Sequence, residues 1–157
     1  MANDDKRRRR QKGRGSEHSF MGIPHYIVRS AEFGELEPWP LKLLIELAAN
    51  FNGKNNGDLS AAFSVLQKRG WNSPGTLNSA IKRLLRDGWL MTSRHGGRNR
   101  CALFALTWWP VDPCEGKWLE IKADATASHR WRKTDSVVVK SVPVVGTCSS
   151  EGLEDAA

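Results

Sequence analysis

Residues 67–100 constrain the fold of this chain more than any other stretch. They read Gln67-Lys68-Arg69-Gly70-Trp71-Asn72-Ser73-Pro74, then an amphipathic run to Arg86, then Asp87-Gly88-Trp89-Leu90 and a hairpin around Gly96-Gly97. Gly70 is the residue type that ends a helix in the left-handed conformation. Ser73 supplies an N-cap oxygen, and Pro74 suits the first helical position, where its missing N–H would have no partner anyway. Leu77, Ala80, Ile81, Leu84 and Leu85 recur at helical spacing, so a helix is predicted over 73–87, closed by Asp87-Gly88. Residues 89–93 and 101–107 read as antiparallel strands, with Leu103 and Ala105 facing one way and Ala102, Phe104 and Leu106 the other. Gly96-Gly97 is the tight-turn signal between them.

Upstream, Pro38 and Pro40 suit a helix start, and Leu41, Leu44, Ile45, Ala48 and Phe51 predict a buried stripe on a helix over 38–51, ended by Asn52-Gly53. Lys54-Asn55-Asn56-Gly57 is turn chemistry. Asp58-Leu59-Ser60 offers a few extended residues, and Ser60 is a candidate cap for a second helix running to about Arg69, burying Ala62, Phe63 and Leu66, with Val65 as a further candidate. Residues 21–28, interrupted by Pro24, read as a strand or an extended entry into the core. Trp71 is expected to plug the turn between the helices. Of the adjacent Trp108 and Trp109, simple alternation puts one in the core and leaves the other to cover an edge or meet a partner.

Four segments are expected: a disordered basic arm over 1–19, a folded domain over 20–110, a strap over 111–135 and a flexible tail over 136–157. Trp118, Leu119, Ile121 and Trp131 would hold the strap to the domain. Val137-Val138-Val139 and 142–145 could add a strand to the tail.

The net charge of +7 is unevenly distributed. Residues 1–17 hold seven Lys/Arg and three Asp/Glu, and residues 68–100 hold eight against Asp87 alone. Residues 18–67 and 101–157 are each net −2. A polyphosphate backbone binds such a distribution by releasing its counterions, whereas a solvated face would need no such clustering. Arg7, Arg8, Arg9 and Arg10 suit a flexible arm lying on phosphates or in a minor groove.

Little else chemical is written here. A phosphate loop, a nucleophile elbow and a cysteine–histidine metal pattern are all missing from the sequence. His18, His25, His95 and His129 are scattered, and Tyr26 is the only tyrosine. An enzyme is not expected, nor a cofactor or metal. Cys101, Cys114 and Cys148 lack ligand spacing and read as reduced thiols, with Cys101 as a core residue. No apolar run approaches the ~18 residues of a membrane span, and the basic start lacks the apolar stretch of a signal peptide. A cytoplasmic bacterial location is expected.

These elements together predict an α+β fold, a winged helix-turn-helix with a three-helix core and a two- to three-stranded antiparallel wing sheet. Asn72, Ser73, Thr76, Asn78 and Ser79 would reach base edges, with Lys82, Arg83 and Arg86 near phosphate. Arg94, His95, Arg98, Asn99 and Arg100 would form the wing. Five motifs in fixed order carry a resemblance: Asn55-Asn56-Gly57-Asp58-Leu59-Ser60, Lys68-Arg69-Gly70-Trp71-Asn72-Ser73, Asp87-Gly88-Trp89-Leu90, Arg94-His95-Gly96-Gly97 and Leu106-Thr107-Trp108. The chain resembles small winged helix-turn-helix proteins of proteobacterial prophages, plasmids and integrative elements, over residues 20–133. The resemblance implies double-stranded DNA as partner and residence on a mobile element, with 73–86 as recognition helix and 94–100 as wing. A transcriptional regulator is the first expectation. A protein-docking adaptor or inhibitor of a host nucleic-acid machine, and a replication initiation factor, stay open beside it. So do a homodimer and a host protein partner.

Overall fold

Local chemistry places the longest helix where the capping residues stand. Ser73 is extended and its Oγ accepts the Thr76 N–H at 3.4 Å; Pro74 opens the helix, which runs Pro74–Arg86. Gly70, three residues earlier, ends the preceding turn at φ +88°. Leu77, Ala80 and Leu84 are buried, with Ile81 and Leu85 half-buried beside them.

The computed structural model describes residues 20–98 and 100–133. The basic arm with Arg7 to Arg10, Asn99 of the expected wing, Cys148 and the valine-rich tail lie outside the described residues. Among the described residues the chain is α+β. It runs α1 (His25–Val28), α2 (Ala31–Gly34), α3 (Pro38–Ala49), β1 (Leu59–Ser60), α4 (Phe63–Leu66), a 3-10 turn (Gln67–Arg69), α5 (Pro74–Arg86), β2 (Leu90–Arg94) and β3 (Leu103–Leu106). The strands form one antiparallel sheet in the order β1-β3-β2.

Several boundaries differ from expectation. The segment read as a strand at 21–28 is instead helical over α1. Pro24 sits just before that helix, and Ser30 links it to α2 by donating to Ile27 O at 2.7 Å and accepting from Phe33 N at 3.2 Å. So short an apolar run has no periodicity to decide its class. Helix α3 forms as predicted but buries Pro40, Leu43, Leu44, Leu47 and Ala48, while Leu41 and Phe51 are half-buried and Ile45 is exposed. Apolar residues crowd this helix, so more than one face could serve, and packing against α5 selects the face. Ser60 caps nothing: it is the end of β1, paired with Leu103, and α4 begins three residues later. The second helix is thus one α-turn continued by a 3-10 turn, with Leu66 buried, Ala62 and Phe63 half-buried, and Val65 exposed where burial is expected, because so short a turn offers only one residue to the core.

The hairpin also closes elsewhere than expected. Gly97 and Arg100 exchange backbone hydrogen bonds at 3.0 Å each way, so the turn falls beyond Gly96-Gly97. A register shift between Thr92 and Arg94 puts a bulge at Ser93, whose Oγ donates to Gly57 O at 2.5 Å. Cys101 is exposed, contrary to the core assignment, because strand β3 starts only at Leu103. All four residues of β3 are buried, so the central strand is covered on both faces.

Two features outside the helices hold the sheet. Asn56 is fully buried: its Oδ1 accepts from Leu106 N at 2.7 Å, and its Nδ2 faces the carbonyls of Leu106, Trp109 and Pro110 at 2.9, 3.1 and 2.7 Å. An aromatic cluster closes the other end. Trp131 stacks on Trp89 at 4.8 Å and 8°, while Phe33 and Trp108 meet Trp89 edge-on at 6.0 and 6.1 Å. The strap expected to fold back over the domain does so through Trp131, not through Trp118, which is 79% exposed. Trp108 is buried, and Trp109 lies half-buried against Phe51 at 5.8 Å.

Candidate nucleic-acid interface

Helix α5 has one buried face and one open face, and this sorting places its functional candidates. Asn78, Ser79, Lys82 and Arg86 are exposed, and Thr76 is half-buried. Asn72 is exposed just ahead of the helix, whereas the Ser73 hydroxyl is engaged as the cap. Lys68 and Arg69, on the 3-10 turn before it, are also exposed. They belong to the basic block but were not singled out as site residues; their place at a helix end is the signal that could have found them. Trp71 plugs the intervening turn with no exposed surface, its Nε1 donating to Glu46 Oε2 at 2.9 Å. Lys42 lies over its ring at 5.2 Å and donates to Arg69 O at 2.7 Å, so α3 fixes where this turn sits.

The C-terminal cations of α5 are not equivalent. Arg83 is half-buried and held between Asp87 at 2.5 Å and Glu37 at 3.1 Å. These contacts raise its pKa, the Asp87 hydrogen bond most of all. Arg83 is expected near phosphate; in the structure its guanidinium ties the end of α5 to Glu37 at the start of α3. Arg86 is largely exposed and touches Asp87 at 3.2 Å. For Asp87, burial pushes the carboxyl up, but hydrogen bonds from Arg83 and Arg86 outweigh it and hold the carboxyl below its ordinary value.

A pH dependence follows with a fixed sign. A carboxyl depressed in the folded state adds stability above its unfolded pKa, near ~3.9, and loses it as pH falls through the lower folded value. Asp87→Asn is therefore expected to lower the thermal midpoint near neutral pH and to flatten the decline below about pH 4. Thermal melts of both proteins at neutral and acid pH check this; an unchanged acid limb would contradict the assigned role.

In the hairpin, the predicted cations again divide. Arg94 reaches across the hairpin to the segment before β3, where its Nη2 donates to Cys101 O at 3.1 Å, and its Nε is enclosed without a protein acceptor among the described residues. It braces the hairpin more than it presents charge. His95 is exposed, with its ring Nδ1 2.5 Å from Glu120 and its backbone N–H donating to the same carboxylate at 3.2 Å. That ring hydrogen bond holds the Glu120 carboxyl below its ordinary value. Arg98 and Arg100 are exposed, and the Arg100 guanidinium lies 5.6 Å from the centre of the Trp118 ring. Among the described residues, Lys68, Lys82 and Arg98 make no ion pair.

Elsewhere, a groove of about 780 Å³ runs between Phe20-Met21 and the end of α3, lined by Ala48, Phe51, Leu106 and Trp109. Among the described residues, no group of three His, Cys, Asp or Glu side chains gathers to hold a metal, and no helix is long and apolar enough to cross a membrane. Compared with known proteins, the chain matches no family model, no curated protein and no solved structure.

Proposed function

We propose that the chain is a double-stranded DNA-binding protein of the winged helix-turn-helix type, acting as a transcriptional regulator on a mobile genetic element. One observation carries this reading. A helix that buries Leu77, Ala80 and Leu84 turns Asn78, Ser79 and Lys82 outward, and a hairpin exposing Arg98 and Arg100 follows it directly. The sheet order β1-β3-β2 is compatible with a wing formed by β2 and β3. The mobile-element part rests on the resemblance of the five sequence motifs.

In this reading Asn72, Asn78 and Ser79 read base edges in the major groove, while Lys82 and Arg86 neutralise phosphates. Arg98 and Arg100 follow the adjacent minor groove or its backbone. Lys68 and Arg69 add phosphate contacts from the turn before α5. Arg83 and Arg94 contribute by holding the helix and hairpin in place. A dimer would meet two half-sites one helical turn apart, ~34 Å.

The test is selection of DNA fragments by the purified protein, followed by binding titrations over a range of salt. Lys82→Ala and Arg98→Ala are each expected to reduce the slope of log affinity against log salt by about one, with unchanged thermal stability. Arg83→Ala should lower affinity and thermal stability together, because it breaks the tie to Glu37 and Asp87. If Lys82→Ala and Arg98→Ala leave both affinity and salt slope intact, α5 and the hairpin are not the contact surface.

A further inference from the structure

We infer that Trp118 and Arg100 form a stacking site for an unpaired nucleobase, so that the protein favours DNA in which duplex passes into single strand. The inference rests on the DNA-binding reading and adds the form of nucleic acid that the hairpin end takes. Trp118 is 79% exposed, whereas Trp71, Trp89, Trp108 and Trp131 are buried. An indole left in water forgoes the gain that burial would bring, so its position invites a functional reading.

That position is held from both sides. Lys117 Nζ lies 3.5 Å from Asp58, and Leu119 packs beside Gly57. The Glu120 N–H donates to Ser93 O at 2.8 Å, and the Glu120 carboxylate takes both the ring and the backbone N–H of His95. The strap is thus stapled to β2 immediately after Trp118, and the ring stands on a fixed support.

The surroundings are cationic. Arg100 lies over the indole and Arg98 is exposed on the same hairpin. Glu120, the acid whose carboxyl also feels Arg100, is already engaged by His95. Exposed aromatic rings beside arginines are how unpaired bases are held: the ring offers a stacking face to any base, and the guanidinium takes the neighbouring phosphate. A base inside a duplex has both faces stacked on its neighbours, and only a terminal pair leaves one open, so the site selects for unpaired nucleotides over duplex interior.

The experiment compares full-length protein binding to a blunt duplex, to the same duplex with a single-stranded DNA extension, and to one with an RNA extension. The wild type should prefer an extended probe by roughly fivefold to a hundredfold, the span of one stacked base. Trp118→Ala should abolish that preference and leave blunt-duplex affinity within about twofold, while Trp118→Phe keeps most of the preference. Because the chain holds seven tryptophans, the fluorescence quenched by the extension is read as the difference between wild type and Trp118→Phe. Preference for the DNA or the RNA extension supports stacking and identifies which strand supplies the base. Equal affinity for blunt and extended probes overturns the inference while leaving DNA binding intact. Equal loss on all probes in Trp118→Ala also overturns it, in favour of a wedge into duplex. Failure to bind any probe removes the DNA-binding reading and this inference with it.

Discussion

Asn56→Asp is expected to destabilise the fold by about 3 kcal/mol or more, and Asn56→Ala by about 2–4 kcal/mol, on the scale of buried polar groups left without partners. The side chain is fully buried and uses both ends of its amide. Its Oδ1 accepts from Leu106 N, while its Nδ2 has three carbonyls within 3.1 Å. Two N–H groups shared among three acceptors leave at least one three-centre bond. The backbone of Asn56 adds a reciprocal pair with Asp112: Asn56 N donates to the Asp112 carboxylate at 2.8 Å, and Asp112 N donates to Asn56 O at 2.8 Å. One residue therefore pins the loop before β1, the end of β3 and the chain leaving the sheet. Alanine would orphan the Leu106 N–H and the inward carbonyls. Aspartate has nearly the same shape but cannot donate when ionised, so its charge would face three carbonyl dipoles. Urea unfolding read by circular dichroism measures both variants. If Asn56→Asp kept the wild-type midpoint, the sheet would not depend on this clamp.

The contrast between Asn56 and Ser73 shows what the sequence could disclose. Ser73, Pro74, Gly70 and the spacing from Leu77 to Leu85 act locally, through caps and periodicity within a few residues, and the structure forms α5 where they point. Asn56 acts across 50 residues of chain, and in sequence it looks like any turn asparagine. Strand β1 is two residues long: the sequence marks Asp58-Leu59-Ser60 only as a few extended residues, and pairing with β3 makes two of them a strand. The roles of Arg83 and Arg94 were hidden in part for the same reason. Arg83's main partner, Asp87, stands four residues on and was open to a sequence reading; what the sequence could not place was Glu37, 46 residues away, and the Cys101 carbonyl brought opposite Arg94 by the hairpin. The open face of α5 was legible because amphipathicity is periodic. The exposure of Trp118 was not, since an isolated aromatic in an irregular segment has no periodicity to place it.

Gly88→Ala is expected to cost about 3 kcal/mol or more, whereas Gly70→Ala should cost about 1 kcal/mol, the difference being a steric collision added to the backbone penalty. Both glycines follow a helical segment and both have positive φ, +88° at Gly70 and +78° at Gly88. Conformational cost alone would make the two variants equal. Their surroundings differ. A Cβ at residue 70 meets only Lys42 Nζ, at 3.5 Å, an ordinary van der Waals contact. A Cβ at residue 88 would lie 2.4 Å from Arg130 O and 2.9 Å from Trp131 N, both backbone atoms. The strap could make room only by withdrawing, and that would separate Trp131 from Trp89 and break the bond from His129 N to Thr107 O, 2.8 Å long. Losing the burial of one large aromatic adds roughly 2 kcal/mol. Gly88 also joins α5 directly to β2, so a shift there changes the angle between the helix and the hairpin that follows. Urea unfolding of the two variants, with tryptophan emission recorded alongside, separates the effects. Gly88→Ala should show a red-shifted native emission and, on the proposed function, weaker DNA binding than Gly70→Ala. Equal losses in the two variants, with unchanged emission, would mean that the strap is not held against the end of α5.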